Sequence, residues 1–239
     1  MASETADTVG FGSERTEPSL HSLFCDPRLG GRQASYASGV VICEPDHPAL
    51  DVFYIHEGQV RIHRPAEDGG SLLLEILGPG QWFGIAALAG RERCEVRAVT
   101  ATPTVLTRVS ARQVMLHVPM SPEGARRLIR ELAERQCAAY EDAERLVFDD
   151  CNSRLIKTLL RFADSAAASR LDGPDGQGVV LRITHQQLAE AVGVARETVS
   201  LALTQLRKQN VLRTGRNQVM FDPSVLKQFR RSGSGQTVK

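Results

Sequence analysis

The 239-residue chain has no run of about 18 apolar residues, so nothing in it reads as a membrane span. Its first 19 residues, MASETADTVGFGSERTEPS, are polar and acidic with no apolar centre. That excludes a secretory signal and reads as a disordered tail on a cytoplasmic protein. Cysteine is scarce: Cys25, Cys43, Cys94, Cys137 and Cys151 are odd in number, widely spaced and form no CxxC. Such a set argues against a disulfide framework and against a standard zinc site, leaving separate thiols and no metal as the expectation. Lysine is missing from residues 1–150, and all four (Lys157, Lys208, Lys227, Lys239) lie beyond. The charge follows the same division. Residues 1–150 carry 15 Lys+Arg against 22 Asp+Glu, a net −7, and residues 151–239 carry 14 against 6, a net +8. A basic C-terminal part on an acidic body points to a polyanionic partner.

From Leu20 to about Val118 the chain consists of short β-type runs, VVICEP, VFYIHEGQVRIHRP, SLLLEILGPG and VLTRVS. Turn signals separate them at Glu57-Gly58, Asp68-Gly69-Gly70 and Gly78-Pro79-Gly80. Alternation in Phe53-Tyr54-Ile55 and Val60-Arg61-Ile62-His63 predicts a strand pair with one buried face. Short strands at this spacing predict a small barrel or roll.

At Ser121-Pro122-Glu123 the period changes to that of a helix, with Ser121 as cap, Pro122 at the first position and Glu123 complementing the dipole. Leu128 and the seven-residue set Ala125-Leu132-Ala139-Leu146 fall on it at helical spacing. A helix of roughly 25 residues spans about 38 Å. The set reads either as a pairing seam or as the face of a helix laid over its own barrel. A second amphipathic stretch, NSRLIKTLLRFADSAA, precedes a Gly/Pro/Asp loop, LDGPDGQG.

In ITHQQLAEAVGVARETVSLALTQLRKQN, Thr184 and Gln187 make a capping-box pattern. Gly193 supplies a turn, and Val199, Leu203 and Leu206 give the following helix one apolar side. Its exposed N-terminal side then carries Arg196, Glu197, Ser200 and Leu201. This is the helix-turn-helix arrangement, whose second helix enters the major groove by its N-terminal residues. Arg can bond a guanine edge, Glu can accept from cytosine, Leu can touch a thymine methyl, and a hydroxyl can serve base or phosphate. Thr184, Thr198, Arg213 and Arg216 are the expected phosphate contacts, the last two on a hairpin wing read from VLRTGRNQVMF.

With those residues in view, ITHQQLAEAVGVARETVSLALTQLRKQNVL resembles the winged helix-turn-helix of the CRP/FNR family of bacterial transcription regulators. VFYIHEGQVRIHRPAEDGGSLLLEILGPGQWFG resembles the family's sensor roll, and DDCNSRLIKTLLRFAD is similar to its join between long helix and DNA-binding domain. The resemblance covers roughly residues 20–230. It implies an α+β protein with a jelly-roll-like β-roll sensor over 20–120, a dimerisation helix over 121–148 and a winged helix-turn-helix over 149–230, followed by a flexible tail over 231–239. It implies a homodimer on palindromic double-stranded DNA, with RNA polymerase as a further partner and no membrane. The dimer-helix residues are then Leu128, Leu132, Ala139 and Leu146.

The resemblance also places the effector pocket at Gly84, Ile85, Arg93, Cys94 and Tyr140. In cAMP-binding members a Gly-Glu holds the ribose and an Arg-Ser or Arg-Thr holds the cyclic phosphate. Here Ile85 stands for the Glu, the Arg-Ser pair falls on Glu92-Arg93 or, with one deletion, Arg93-Cys94, and Ala139-Tyr140 replace Thr-Ser on the helix. An unpaired buried hydroxyl costs about 1–3 kcal/mol, so cAMP bound in the usual way is not expected. Iron–sulfur members carry three closely spaced N-terminal cysteines, where this chain has only Cys25. Haem or another metal has Cys25, Cys43, His21, His56 and His63 to draw on, none at a ligand spacing. The cofactor stays unknown. A cupin-like metal enzyme, the alternative from another class, needs a His-x-His converging inside the barrel, which His56 and His63 do not supply. No enzymatic activity is expected.

Overall fold

The computed structural model describes residues 20–67, 69–173 and 176–233. The acidic tail expected over 1–19 and the tail beyond 233 lie outside those residues. The chain opens with a short helix α1 (Leu20–Phe24), then β1 (Arg32–Tyr36), β2 (Val41–Cys43), β3 (Asp51–Glu57), β4 (Val60–Pro65), β5 (Ser71–Leu77) and β6 (Trp82–Phe83). One turn, α2 (Ile85–Leu88), leads to β7 (Arg97–Thr100) and β8 (Thr104–Ser110). Two antiparallel four-stranded sheets result, in the orders β1-β8-β3-β6 and β2-β7-β4-β5.

Phe53, Ile55, Val60, Ile62, Leu77, Phe83, Ala98 and Leu106 fill the space between the sheets. The strand pair expected from Phe53-Tyr54-Ile55 and Val60-Arg61-Ile62-His63 is not made. β3 pairs with β8 and β6, β4 with β5 and β7, so the two runs belong to opposite sheets. Their alternation records burial against the shared interior, which is the same for facing strands as for bonded ones.

A helix α3 (Ala111–His117) leads to the long helix α4 (Pro122–Phe148) of 27 residues. Ser121 stands at its N-cap, but its side chain makes no capping bond. Leu128 is buried to 6% exposure among Leu20, Leu23, Phe24, Trp82 and Val114, and Leu132 packs on the same cluster. Leu128 and Leu132 therefore face the protomer's own roll, while Ala139 and Leu146 of the set read as a seam are exposed, Leu146 to 56%. Ile129 (66% exposed), Tyr140 (68%) and Val147 (73%) look outward as well.

Asp150 caps α5 (Cys151–Ala163), accepting from the Ser153 N–H at 2.7 Å. Within the Gly/Pro/Asp stretch expected as a loop, residues 174 and 175 lie outside the described residues and both flanks are strands. Residues 168–173 and 176–181 form a hairpin, β9 (Ala168–Gly173) and β10 (Gly176–Leu181). Helices α6 (His185–Val192) and α7 (Arg196–Lys208) follow, then the hairpin β11 (Leu212–Gly215) and β12 (Gln218–Phe221). A last helix, α8 (Pro223–Gly233), buries Leu226, so residues 231–233 of the expected flexible tail are helical. Asp222 starts it by accepting from the Ser224 N–H at 2.7 Å. No helix among the described residues is long and apolar enough to cross a membrane.

The two halves share a core. Leu73 and Ile76 of β5 sit in one apolar cluster with Leu155, Leu159, Leu188, Val192 and Leu203 of the helical half. The Gln59 side-chain amide donates to the Ala166 carbonyl at 2.5 Å across the same boundary.

Candidate nucleic-acid interface and sensor cavity

The capping box forms as the sequence spells it. Thr184 Oγ1 accepts from the Gln187 N–H at 3.1 Å, and Gln187 Oε1 accepts from the Thr184 N–H at 2.9 Å. Gly193 ends α6 in the left-handed region at φ 73°, a conformation that a Cβ makes costly, and its N–H bonds back to Ala189. Val199, Ala202, Leu203 and Leu206 then seat α7 in the core. What remains of its first turns faces solvent: Arg196, Glu197 and Thr198 are exposed, and Leu201 is 67% exposed. Leu201 is thus a free apolar tip and does not pack on α6. Backbone N–H groups and a positive dipole end lie at this terminus, which suits phosphate.

Ser200, expected at the DNA, is tied to both helices. It is half-buried, its hydroxyl donating to the Arg196 carbonyl at 2.9 Å and lying 2.9 Å from His185 Nδ1. It braces the start of α6 against α7 and lies one helical turn along from Arg196. His185 carries no signal in the sequence, where it reads only as the first residue after a cap. Thr184 is half-buried with its oxygen committed to the cap, while Arg213 and Arg216 are exposed on β11 and at the wing tip. The wing turns through Arg216-Asn217, with Asn217 at φ 55°.

The second site is a cavity of about 1010 Å³ between the roll, α4 and α5. Gly84, Ile85 and Cys94 line it as expected. Gly84 cannot be otherwise, since it sits at φ 103° and a Cβ there would come within 2.5 Å of the Asp51 carbonyl oxygen. Arg93 and Tyr140 are not among the lining residues. Arg93 reaches away to the Asp46 carbonyl at 2.6 Å, and Tyr140 lies on the outward face of α4. Ala139 and Leu146, expected at a dimer seam, also line the cavity. Among the arginines that line it are Arg108, paired with Asp51, and Arg135, which stacks 4.5 Å over the Trp82 ring. Arg161 joins them, bonded to Asp142 at 2.6 Å. Cys43 also lines the cavity beside Cys94, and burial first, then that neighbour, pushes its thiol up to about 12. It is a protonated thiol at neutral pH, not a nucleophile.

The two histidines that a cupin reading needs diverge. His56 lies on the outer face of β3, ring to ring with Tyr54, while His63 on β4 faces Glu190 of α6. Both imidazoles titrate below their ordinary value, chiefly through burial.

Residues 33–115 match the cyclic nucleotide-binding domain model, and residues 153–229 match the Crp-like helix-turn-helix domain model. The chain is 31% identical over 201 residues to the transcriptional regulator SdrP of Thermus thermophilus, covering 83% of this chain and 94% of that one. It is 28% identical over 205 residues to the cAMP-activated global transcriptional regulator CRP of Salmonella typhimurium, covering 84% and 93%. The crystal structure of a CRP/FNR-family transcriptional regulator from Thermus thermophilus superposes with a TM-score of 0.70 at 30% identity. That match covers 84% of this chain and 98% of that one. An exposed recognition helix, a roll closed over a cavity and these likenesses agree: the chain belongs to the CRP/FNR family of transcriptional regulators.

Proposed function

We propose that the protein acts as a homodimer on two-fold symmetric promoter DNA, reading bases with Arg196, Glu197 and Leu201 and holding phosphates with Thr198, Arg213 and Arg216. RNA polymerase is the further partner in this reading. The observation that carries it is the split of α7 into a seated face and a free N-terminal tip bearing a cation, a carboxylate and one exposed Leu. Each of those three side chains matches a base edge. The outward side of α4, Ile129, Tyr140 and Val147 with the exposed Ala139 and Leu146, is the dimer face, while Leu128 and Leu132 pack on the roll. Apolar side chains this exposed at seven- and eleven-residue spacing gain free energy by meeting their copies. Two recognition helices then stand about 34 Å apart, one turn of DNA.

The cavity is the effector site in this reading, and cAMP in its usual mode does not fill it. Ile85 at the ribose-binding position offers no hydrogen bond, and Arg93 is turned away to Asp46. Light scattering of the DNA complex tests the assembly. Two protomers per duplex, with affinity falling steeply as salt rises, is expected; one protomer per duplex contradicts it. Calorimetry tests the effector, where micromolar cAMP affinity would overturn the second statement.

A further inference from the structure

His21, Cys25 and His56 meet on the outer face of the roll, away from α7 and outside the lining of the cavity. His21 and Cys25 are four residues apart, and the Cys25 N–H donates to the His21 carbonyl at 2.8 Å, closing one helical turn. Both side chains therefore leave α1 on the same side. His56 comes from β3, 31 residues along the chain, and its Nε2 is 3.9 Å from Cys25 Sγ. The His21 and His56 rings stand edge to face, 5.8 Å between centroids. One ligand atom from each residue lies within 4.8 Å of the others, and no second His, Cys, Asp or Glu trio does so among the described residues.

We infer that His21, Cys25 and His56 form a binding site for a zinc-class divalent cation. One thiolate with two neutral imidazoles is a donor set that suits zinc, whereas magnesium and calcium take oxygen donors. Bond lengths of about 2.3 Å to sulfur and about 2.0 Å to nitrogen, at a tetrahedral angle, set sulfur and nitrogen about 3.5 Å apart. The observed 3.9 Å closes to that by a small side-chain rotation, with no change of backbone. The Thr107 hydroxyl sits 2.7 Å from His56 Nε2, and the cation replaces that one hydrogen bond. Binding exchanges the Cys25 S–H bond for a sulfur–metal bond and releases the proton to solvent. Three protein donors leave a fourth position for water.

The site ties α1 to β3. Its neighbours Leu23 and Phe24 belong to the cluster that holds Trp82 and Leu128, so a bound cation fixes α1 against the start of α4. Nothing in this inference depends on which DNA the protein reads.

The test is a cobalt(II) titration of the full-length, reduced, chelator-treated protein, followed by zinc(II) as competitor. One equivalent per protomer is expected, with a sulfur-to-cobalt charge-transfer band in the near ultraviolet and visible bands of tetrahedral intensity, all abolished by zinc. Cys25→Ser removes the charge-transfer band, and Cys94→Ser, in the cavity, keeps it. His21→Ala, a change at an exposed position, lowers zinc affinity at least tenfold, since even outer-shell partners of a metal are worth about 10–100-fold. A wild-type protein without the band overturns the site. A band that survives in Cys25→Ser, or zinc affinity unchanged in His21→Ala, overturns it equally.

Discussion

His63 and Glu190 face each other across the boundary between the roll and the helix-turn-helix, with 3.6 Å between Nδ1 and the carboxylate. One residue belongs to strand β4 of the roll, the other to α6, the helix that carries the turn before α7. The Ser71 hydroxyl lies 3.4 Å from the same nitrogen. Burial, with Arg61 and Arg97 nearby, holds the imidazole below its usual 6.5, and Glu190 offsets only part of that. The contact is therefore between a neutral ring and a carboxylate at neutral pH.

Stability should fall on acidification for this reason. Above about 6.5 neither state binds the proton at this residue. As the pH drops below that value the unfolded chain takes up the proton first, and stability is lost until the lowered folded value is passed. Urea midpoints at pH 7.5 and 5.5 measure it. The wild type should unfold earlier at 5.5, and His63→Gln should show a smaller difference between the two. A wild type that gains stability on acidification from this residue would contradict the assignment.

Arg196→Ala and Arg216→Ala should fail in different ways. The first removes a bidentate partner for one guanine, so about 1–3 kcal/mol of discrimination disappears at that base pair. The second removes a phosphate contact, so all sites weaken alike and the salt slope falls by about 1. Anisotropy titrations on matched and single-substituted duplexes separate the two patterns. Equal loss on every duplex for both variants would remove Arg196 from base reading.

Tyr140→Asp should yield monomers with native circular dichroism, because the side chain is exposed on the outward face of α4. Leu128→Ala should instead destabilise the protomer, by about 2–5 kcal/mol for a buried Leu. Sedimentation and thermal melts distinguish association from folding. If Tyr140→Asp stays dimeric, the interface lies on another face.

Local chemistry is the legible part of this protein. Thr184, Gln187 and Gly193 announce the helix-turn-helix because a cap and a left-handed turn are decided within four residues. Contacts made at a distance are hidden. The alternation of β3 and β4 cannot say that a crossing at Gly58 sends them to opposite sheets. On α4, Leu128 and Ile129 are adjacent apolar residues, and only the packed roll shows which of them is covered. The β9–β10 pairing is obscured in the sequence by Gly173, Gly176 and Gly178. The four-residue step from His21 to Cys25 becomes a ligand spacing only where the chain is helical, and His56 joins them only through the sheet.

Selection from random DNA with the full-length dimer bears most directly on base reading by α7. The expected outcome is a palindrome whose half-sites are one helical turn apart, with a strict guanine opposite Arg196 and a cytosine-bearing pair opposite Glu197. Opposite the exposed Leu201, where a donor for guanine is lacking, the position should be relaxed or favour thymine. A strict guanine at the Leu201 position, or enrichment of single non-symmetric sites, would contradict both the register of the helix and the pairing of two recognition helices.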